Sequence, residues 1–310
     1  MLTYKALVDD GTQHIYSQSE TPRIDAEVLL QHVTGQSMAW YIAYGDSPAL
    51  AEHITVFYQL IARRVDGEPI AYLTGERDFW TLTLKVDKNV LIPRPDTETL
   101  VEGALDVLGL TESIANGSSA NAQSLNILDL GTGSGAIALS LAKECKNAKV
   151  IATDYQAAAL EVAKLNAKHN SINNLEFRQG SWFEPINNNE RFDLIASNPP
   201  YIEHNDPHLK RGDLRFEPIS ALVAKDSGLA DLQNIIETAP AFLKDQAWLI
   251  VEHGYNQAEQ VASLFSDNGF EKIELLKDIN HLPRCTRGQL LKTDKWALRK
   301  TSTYLMSCTA

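Results

Sequence analysis

The chain has 310 residues, 44% of them hydrophobic and 22% charged, which is typical of a globular protein and excludes a mainly disordered chain. Its formal net charge of -12 opposes duplex-DNA binding, because such binding needs many contacts from Lys and Arg to phosphate. Three widely spaced cysteines predict no disulfide framework or zinc site, and no apolar run has the length of a membrane span, so we expect a cytoplasmic protein.

Residues 1–75 are predicted to form a small helical domain. Apolar side chains recur at helical spacing in two segments, one with Ala26, Leu29, Leu30 and Val33, the other with Leu50, Ile54, Phe57 and Ile61. Ser47-Pro48 is a helix start signal for the second segment, with the serine as N-cap and the proline in the first turn.

Residues 76–95 are predicted to form a β-hairpin connector. Apolar and polar residues alternate from Thr81 to Val86, and Asp87-Lys88-Asn89 supplies residues that favour a turn. A helix is then expected to begin at Asp96. The polar, small residues 111–124 predict a flexible surface insertion, and residues 292–310 form a C-terminal tail.

Residues 96–291 are predicted to form an α/β domain. Apolar strand segments alternate with helical stretches at 126–130, 150–153, 175–179, 192–197 and 248–252. This alternation favours a parallel sheet with helices packed on both faces.

A glycine loop, residues 131–135, follows the first of these strands. Gly131 can adopt positive φ, Gly133 allows a ligand to approach the backbone, and the following helix directs free N–H groups at an anion. After the next strand, Asp154 is placed to accept hydrogen bonds from two ribose hydroxyls, although it could instead cap a helix. The pattern predicts a nucleoside cofactor, and its spacing alone also fits a nicotinamide dinucleotide.

The sequence Asn198-Pro199-Pro200-Tyr201, here called the ledge, ends the strand at 192–197. Two consecutive prolines cannot continue a sheet, because each lacks a backbone N–H group. The Asn198 side-chain oxygen and the Pro199 carbonyl can each accept a hydrogen bond, and the Tyr201 ring offers a stacking face. The ledge therefore suits a planar NH₂ group.

With these motifs, the chain resembles the Rossmann-like S-adenosylmethionine-dependent methyltransferases, and within them the HemK family of protein-glutamine N5-methyltransferases. The resemblance runs from about Thr21 to about Arg284. It includes residues 67–75, 90–98 and 181–183 as well as the ledge. Residues 212–218, 221–224 and 251–254 look like the branch that modifies class 1 peptide chain release factors.

The resemblance implies a mostly parallel seven-stranded sheet, S-adenosylmethionine as cofactor, and methylation of the glutamine amide in the Gly-Gly-Gln motif of class 1 release factors. The helical domain would recognise this protein substrate, and we expect a monomer that binds neither DNA nor membranes. The implied catalytic residues are Asn198, Pro199 and Tyr201, and Pro200 also binds the substrate. The implied cofactor-binding residues are Asp129, Gly131, Thr132, Gly133, Ser134, Gly135, Asp154, Trp182 and Asn198.

Several alternatives remain at this stage. The substrate could be a ribosomal protein glutamine, or the chain could bind S-adenosylmethionine without catalysis. Trp182 could flank adenine or pack in the core. The charged residues Arg211, Asp213, Arg215 and Glu217 could form a solvated loop or a lid over the substrate, and Arg94 and Glu98 could cap a helix or order that lid. His204 and His208 lack further ligands nearby in sequence, so no metal site is predicted.

Overall fold

A computed structural model describes residues 2–110, 124–210, 212–224 and 228–291, without the side chains of His208 and Lys210. The predicted insertion lies outside the described residues except for Ser124. The predicted tail, residues 292–310, and Arg211 lie outside them as well.

Five helices form the N-terminal region: α1 (Tyr4–Ile15), α2 (Pro22–Thr34), α3 (Met38–Tyr44), α4 (Ala51–Val65) and α5 (Ile70–Thr74). Their apolar faces meet in one cluster whose fully buried members include Leu7, Leu29 and Phe57. Burial of these faces stabilises the helices, since short helices are marginal on their own. The cluster contains the predicted residues Ala26, Leu30 and Ile61.

The predicted start of α4 at Ser47-Pro48 is wrong, because α4 begins at Ala51 with Leu50 as its N-cap. The Ser47 N–H donates to the Tyr44 carbonyl and closes a turn, while Pro48 forms an isolated bridge with Thr3. These bonds hold residues 47 and 48 outside the helix. Leu50, predicted to face the core, is consequently exposed.

The hairpin consists of β1 (Glu76–Phe79) and β2 (Leu82–Lys85). Its turn lies at Trp80-Thr81. The predicted turn residues Lys88 and Asn89 do form a turn, but it follows the hairpin and does not connect its strands. Trp80 has a φ of 56° and is held by two carboxylates: its N–H donates to Glu98 and its indole donates to Glu144, each at 2.8 Å. These tertiary bonds hold the hairpin turn in place.

The rest of the chain forms an α/β unit. Its helices are α6 (Glu98–Val107), α7 (Ala136–Glu144), α8 (Ala157–His169), α9 (Ala230–Thr238) and α10 (Ala258–Asp267). Its strands are β3 (Asn126–Leu130), β4 (Lys149–Asp154), β5 (Leu175–Gln179), β6 (Phe192–Ser197), β7 (Ile202–Glu203), β8 (Val223–Ala224), β9 (Leu243–Glu252), β10 (Phe270–Lys277) and β11 (Pro283–Leu290).

Seven strands form the main sheet in the order β10-β11-β9-β6-β3-β4-β5. Strands β9, β6, β3, β4 and β5 pair in parallel, and β11 runs antiparallel between β9 and β10. Leu130 pairs with Thr153 on one side and Ser197 on the other, and Ser197 pairs with Val251. The carboxyl ends of four strands are thus adjacent, where the strand order reverses and ligands of α/β folds bind.

Alternate side chains of each central strand enter two separate cores. Ile127, Val150 and Leu194 belong to the cluster on one face, whereas Leu128 and Ile195 belong to the cluster on the other. Helices α6 and α7 cover the first face, and α9 and α10 cover the second. This two-sided burial explains why the strands are continuously apolar.

Packing divides the described residues into two units. The first comprises the residues up to Glu76 together with Val86–Lys88 and Pro207–Glu217, and the second comprises the remainder. The segment Pro207–Glu217 therefore belongs with the N-terminal helices, although the residues on both sides of it belong with the sheet. None of the described helices is both long and apolar enough to cross a membrane.

Candidate active site

A cavity of about 230 Å³ opens at the carboxyl ends of the central strands. It lies within the sheet unit, between the glycine loop and the ledge. Predicted site residues that line it are Gly131, Thr132, Gly133, Ser134, Asp154, Trp182, Asn198 and Pro200. Four predicted residues do not line it: Asp129, Gly135, Pro199 and Tyr201.

The glycine loop leaves its backbone open to this cavity. Gly131 and Gly133 have φ values of 72° and 55°, which side-chain-bearing residues rarely adopt. A Cβ on Gly133 would meet no atom within 4 Å, so this backbone faces open space. A Cβ on Gly131 would instead lie 3.1 Å from the Trp182 ring. The loop therefore exposes peptide groups to a ligand on one side and contacts an aromatic ring on the other.

Asp129, in β3, anchors the glycine loop through hydrogen bonds. It is fully buried, and its Oδ2 accepts hydrogen bonds from the Thr132 hydroxyl at 2.6 Å and the Ala138 N–H at 3.2 Å. Its Oδ1 has no hydrogen-bond partner among the described residues. Burial and, to a lesser extent, the neighbouring Asp154 charge raise the pKa of Asp129 to about 7, against the two hydrogen bonds, which lower it.

Asp154 links the end of β4 to the glycine loop. Its Oδ2 accepts from the Gly133 N–H at 2.9 Å and its Oδ1 accepts from the Gln156 N–H at 2.8 Å. The N-cap of α8 is Gln156, so Asp154 does not occupy the capping position. Burial raises the pKa of Asp154, while these two hydrogen bonds lower it.

Trp182 serves both the core and the cavity. Its ring lies beside Gly131 at the cavity wall and also packs against the cluster on one sheet face. Its carbonyl accepts a hydrogen bond from the Thr153 hydroxyl at 3.3 Å, and its φ is 47°. The two alternatives raised by the sequence are thus compatible in this structure.

The ledge presents Asn198 to the cavity and turns Tyr201 away from it. The Asn198 Nδ2 donates to the Thr97 Oγ1 at 3.2 Å. The Tyr201 hydroxyl donates to Glu252 Oε1 at 3.0 Å, and its carbonyl accepts from Gln257 Nε2 at 3.2 Å. Burial raises the pKa of Tyr201 and that of Glu252.

Thr97 and Glu252 lie in motifs of the family resemblance, 90–98 and 251–254, but the sequence analysis gave neither residue a role. Thr97 lines the cavity, and Glu252 is almost fully buried behind the ledge. The available signal was the strand pairing: β6 and β9 are neighbours, so the residues after Ser197 and Val251 emerge together. That pairing involves segments far apart in the chain and has no local motif.

The charged segment Pro207–Glu217 is not simply solvated. Asp213 Oδ1 lies 3.4 Å from Arg64 Nη1, and the Arg64 Nε donates to Asp25 Oδ2 at 2.9 Å. Arg215 lies over the Phe216 ring, 5.4 Å from its centroid. These contacts order the segment within the first unit. The Glu98 carboxylate accepts a hydrogen bond from the Trp80 N–H at the hairpin turn, as described above.

The cavity fits the adenosine and amino-acid parts of S-adenosylmethionine. Asp154 offers carboxylate oxygens to a ribose diol, and the start of α7 offers N–H groups to a carboxylate. Asp129 is fully buried and does not line the cavity, so it supports the loop instead of contacting a ligand. Among the described residues, no group of three or more His, Cys, Asp or Glu side chains is arranged to hold a metal ion.

Two family models match this chain. One described as a PrmC N-terminal domain matches residues 7–75, and one described as a methyltransferase domain matches residues 121–300, more than half of the chain. Solved structures share the fold. A methyltransferase from Pyrococcus furiosus aligns with a TM-score of 0.50 at 16% identity, covering 74% of this chain and 98% of that one. At this identity the likeness indicates the fold alone.

Curated relatives named release factor glutamine methyltransferase match nearly the whole chain. The relative from Aliivibrio fischeri is 47% identical and covers 93% of this chain and 98% of its own. Those from Vibrio cholerae and Escherichia coli are 44% and 45% identical, covering 96% and 87% of this chain and 99% and 93% of theirs. The predicted fold class and family resemblance are confirmed, and the chain belongs to the release factor glutamine methyltransferase family.

Proposed function

We propose that this enzyme methylates the side-chain amide nitrogen of the glutamine in the Gly-Gly-Gln motif of class 1 peptide chain release factors. One observation carries the assignment: Asn198 lines the same cavity as the glycine loop and Asp154. An amide-binding group and a nucleoside-binding group thus share one space. S-Adenosylmethionine, when bound there, supplies an electrophilic methyl group.

Asn198 and Pro199 align the glutamine amide. A primary amide nitrogen is a weak nucleophile because its lone pair is delocalised into the carbonyl, so orientation matters. The Asn198 Oδ1 and the Pro199 carbonyl accept the two amide protons and hold the nitrogen lone pair toward the methyl group. Tyr201 does not line the cavity, and its hydroxyl is held by Glu252, so we assign it to support of the ledge rather than to stacking on the amide.

The same acceptors stabilise the transition state. As the nitrogen gains positive charge, its N–H groups become more acidic, and both acceptors bind them more tightly than in the ground state. This differential binding lowers the barrier. The proton lost after methyl transfer is acidic enough to pass to water, so the mechanism needs no strong base.

The remaining features are assigned on the same basis. The glycine loop, Asp154 and Trp182 bind the amino-acid, ribose and adenine parts of the cofactor, while Asp129 fixes the loop. Family membership supports a release factor as protein partner and the cytoplasm as compartment. The enzyme acts as a monomer, and its helical unit recognises the folded substrate. The net charge of -12 favours a basic protein surface over nucleic acid.

The test is methyl transfer from labelled S-adenosylmethionine. The full chain is incubated separately with a class 1 release factor, the same factor with its motif glutamine replaced by alanine, a ribosomal protein substrate and DNA. Peptide mass spectrometry then locates the label. We expect label on the intact release factor at the motif glutamine and none on the replaced factor.

Other results would change the assignment in different ways. Label confined to the ribosomal protein would retain the chemistry and overturn the partner. Cofactor binding without transfer to any of these substrates would favour a noncatalytic binding module.

A further inference from the structure

Asn198, Thr97 and Glu252 meet at the carboxyl end of the sheet. Strands β6 and β9 are parallel, with Ser197 opposite Val251, so the next residues, Asn198 and Glu252, emerge side by side. Thr97, in the short 3₁₀ turn before α6, reaches both of them. Thr97 and Glu252 are only 4% and 1% exposed, so water cannot readily substitute for either side chain.

The hydroxyl of Thr97 connects the other two groups. It accepts a hydrogen bond from the Asn198 Nδ2 at 3.2 Å. A hydroxyl has a single hydrogen, which Thr97 is then free to donate elsewhere. It hydrogen-bonds the Glu252 carboxylate, whose Oε1 also accepts from the Tyr201 hydroxyl at 3.0 Å. Asn198 therefore donates to Thr97, and Thr97 and Tyr201 both donate to Glu252.

The contacts themselves give the direction of the series: the Asn198 Nδ2 donates to Thr97, and the Tyr201 hydroxyl donates to Glu252 Oε1. With Glu252 as acceptor, Thr97 donates to it and accepts from the amide end of Asn198. Burial raises the pKa of Glu252 on balance, although Arg284, which pairs with Asp96 and Asp278 at 3.2 and 3.0 Å, lowers it. The Asn198 Oδ1 is left for the cavity.

We infer that Thr97 and Glu252 are positioning residues that hold the Asn198 amide with its acceptor oxygen, not its NH₂ group, toward the substrate glutamine. This inference rests on the proposed function. If the Asn198 amide turned over, its NH₂ group would meet the substrate NH₂ group, and two donors cannot hydrogen-bond each other. Glu252 acts without touching the substrate, through Thr97.

The test compares two changes at one position in the full-length enzyme. Thr97→Val keeps the side-chain shape and removes the hydroxyl, whereas Thr97→Ser keeps the hydroxyl. We expect Thr97→Val to lower kcat for release factor methylation by about 10- to 100-fold, as for loss of a supporting hydrogen bond. Thr97→Ser should restore most of that loss. The cofactor dissociation constant should change little in both, whereas Thr97→Val should lower Tm, because it leaves the partners of the buried hydroxyl unpaired.

Glu252→Gln tests the series from its other end and serves if Thr97→Val does not fold. A glutamine amide can donate to Thr97 and reverse the direction of the bonds, so kcat should again fall by about 10- to 100-fold with cofactor affinity retained. Unchanged kcat in Glu252→Gln or Thr97→Val would overturn the inference. Equal losses in Thr97→Val and Thr97→Ser would also overturn it, because packing alone would then explain both.

The variant Asn198→Ala distinguishes a failure of this inference from a failure of the proposed function. If Asn198→Ala loses activity while Thr97→Val keeps it, the positioning role is wrong and the amide-binding role stands. If Asn198→Ala itself turns over normally, the proposed mechanism is wrong and the inference falls with it.

Discussion

The glycine loop and the ledge form opposite walls of one cavity, yet different kinds of contact hold them. The loop is fixed by neighbours in sequence: Asp129 bonds to Thr132, three residues away, and to the first turn of the next helix. The ledge is fixed by distant residues, since Thr97 lies 101 positions from Asn198 and Glu252 lies 51 positions from Tyr201. Binding of the cofactor thus depends on local structure, and alignment of the substrate depends on the assembled sheet.

Replacement of Asn198, on the ledge, should have the largest effect on activity. Asn198→Ala removes an acceptor that strengthens in the transition state, so we expect kcat to fall by on the order of 10²–10³. Steady-state methylation of a release factor measures this change, and calorimetric titration with S-adenosylmethionine checks that the cofactor still binds. An unchanged kcat would contradict the proposed role of the ledge.

Asp129, which supports the glycine loop, should make the free energy of unfolding depend on pH. Its pKa is about 7 in the folded protein and about 3.9 when unfolded, so the folded state binds more protons between these values. The resulting stabilisation is fully present below about pH 4 and is lost as pH rises through 7. Relative to Asp129→Asn, the wild type should therefore gain on the order of 3 kcal/mol of unfolding free energy from pH 8 to pH 4.

Urea unfolding of both proteins across this pH range measures the difference, in which the other titrating groups largely cancel. If the difference in unfolding free energy between the two proteins stayed constant with pH, Asp129 would titrate normally.

Asp154→Ala should weaken binding of the cofactor without changing the role of the ledge in catalysis. Loss of a charged hydrogen-bond acceptor is expected to raise the dissociation constant for S-adenosylmethionine by about 10- to 100-fold. At saturating cofactor, kcat should stay close to that of the wild type. Titration calorimetry and steady-state kinetics separate the two quantities, and a fall in saturated kcat alone would place Asp154 with the reacting groups.

Gly133→Ala and Gly35→Ala form a matched pair with the smallest expected effects. Both glycines have positive φ, 55° and 64°, and a Cβ on either would meet no atom within 4 Å. Each change should therefore cost about 1–2 kcal/mol of stability from backbone strain. Only Gly133→Ala should also weaken cofactor binding, because its Cβ would enter the cavity. Equal cofactor affinity in both variants would exclude close approach at Gly133.

The contrast between local and distant contacts also explains what the sequence could predict. The strands 126–130, 175–179 and 192–197 were predicted with the bounds observed. The first and third are mainly apolar because both faces are buried, whereas 175–179, at the sheet edge, alternates apolar and polar residues. The glycine loop was recognisable because its geometry depends on its own residues. The hairpin turn at Trp80 could not be predicted, since Glu98 and Glu144 hold it from elsewhere in the chain.

The support of the ledge was hidden for the same reason. Tyr201 has a flat ring that suggests stacking, and nothing near it in sequence indicates that its hydroxyl is held by Glu252. Thr97 lies in the motif 90–98, but its contact with Asn198 depends on the 3₁₀ turn and could not be inferred from the motif. Sequence motifs predicted most of the residues that line the cavity, whereas the contacts of Asn198 with Thr97 and of Tyr201 with Glu252 join segments far apart in the chain.

The segment Pro207–Glu217 packs with the N-terminal helices, through Arg64 and Asp213, although its chain neighbours on both sides belong to the sheet unit. The helical unit is therefore not a detachable module. A truncated enzyme that began at the sheet unit would still carry this segment, but without Arg64 and the packing surface on which it folds. Transplanting residues up to Glu76 onto another methyltransferase would likewise omit Val86–Lys88 and Pro207–Glu217, so exchange of this unit has to move three stretches of chain together.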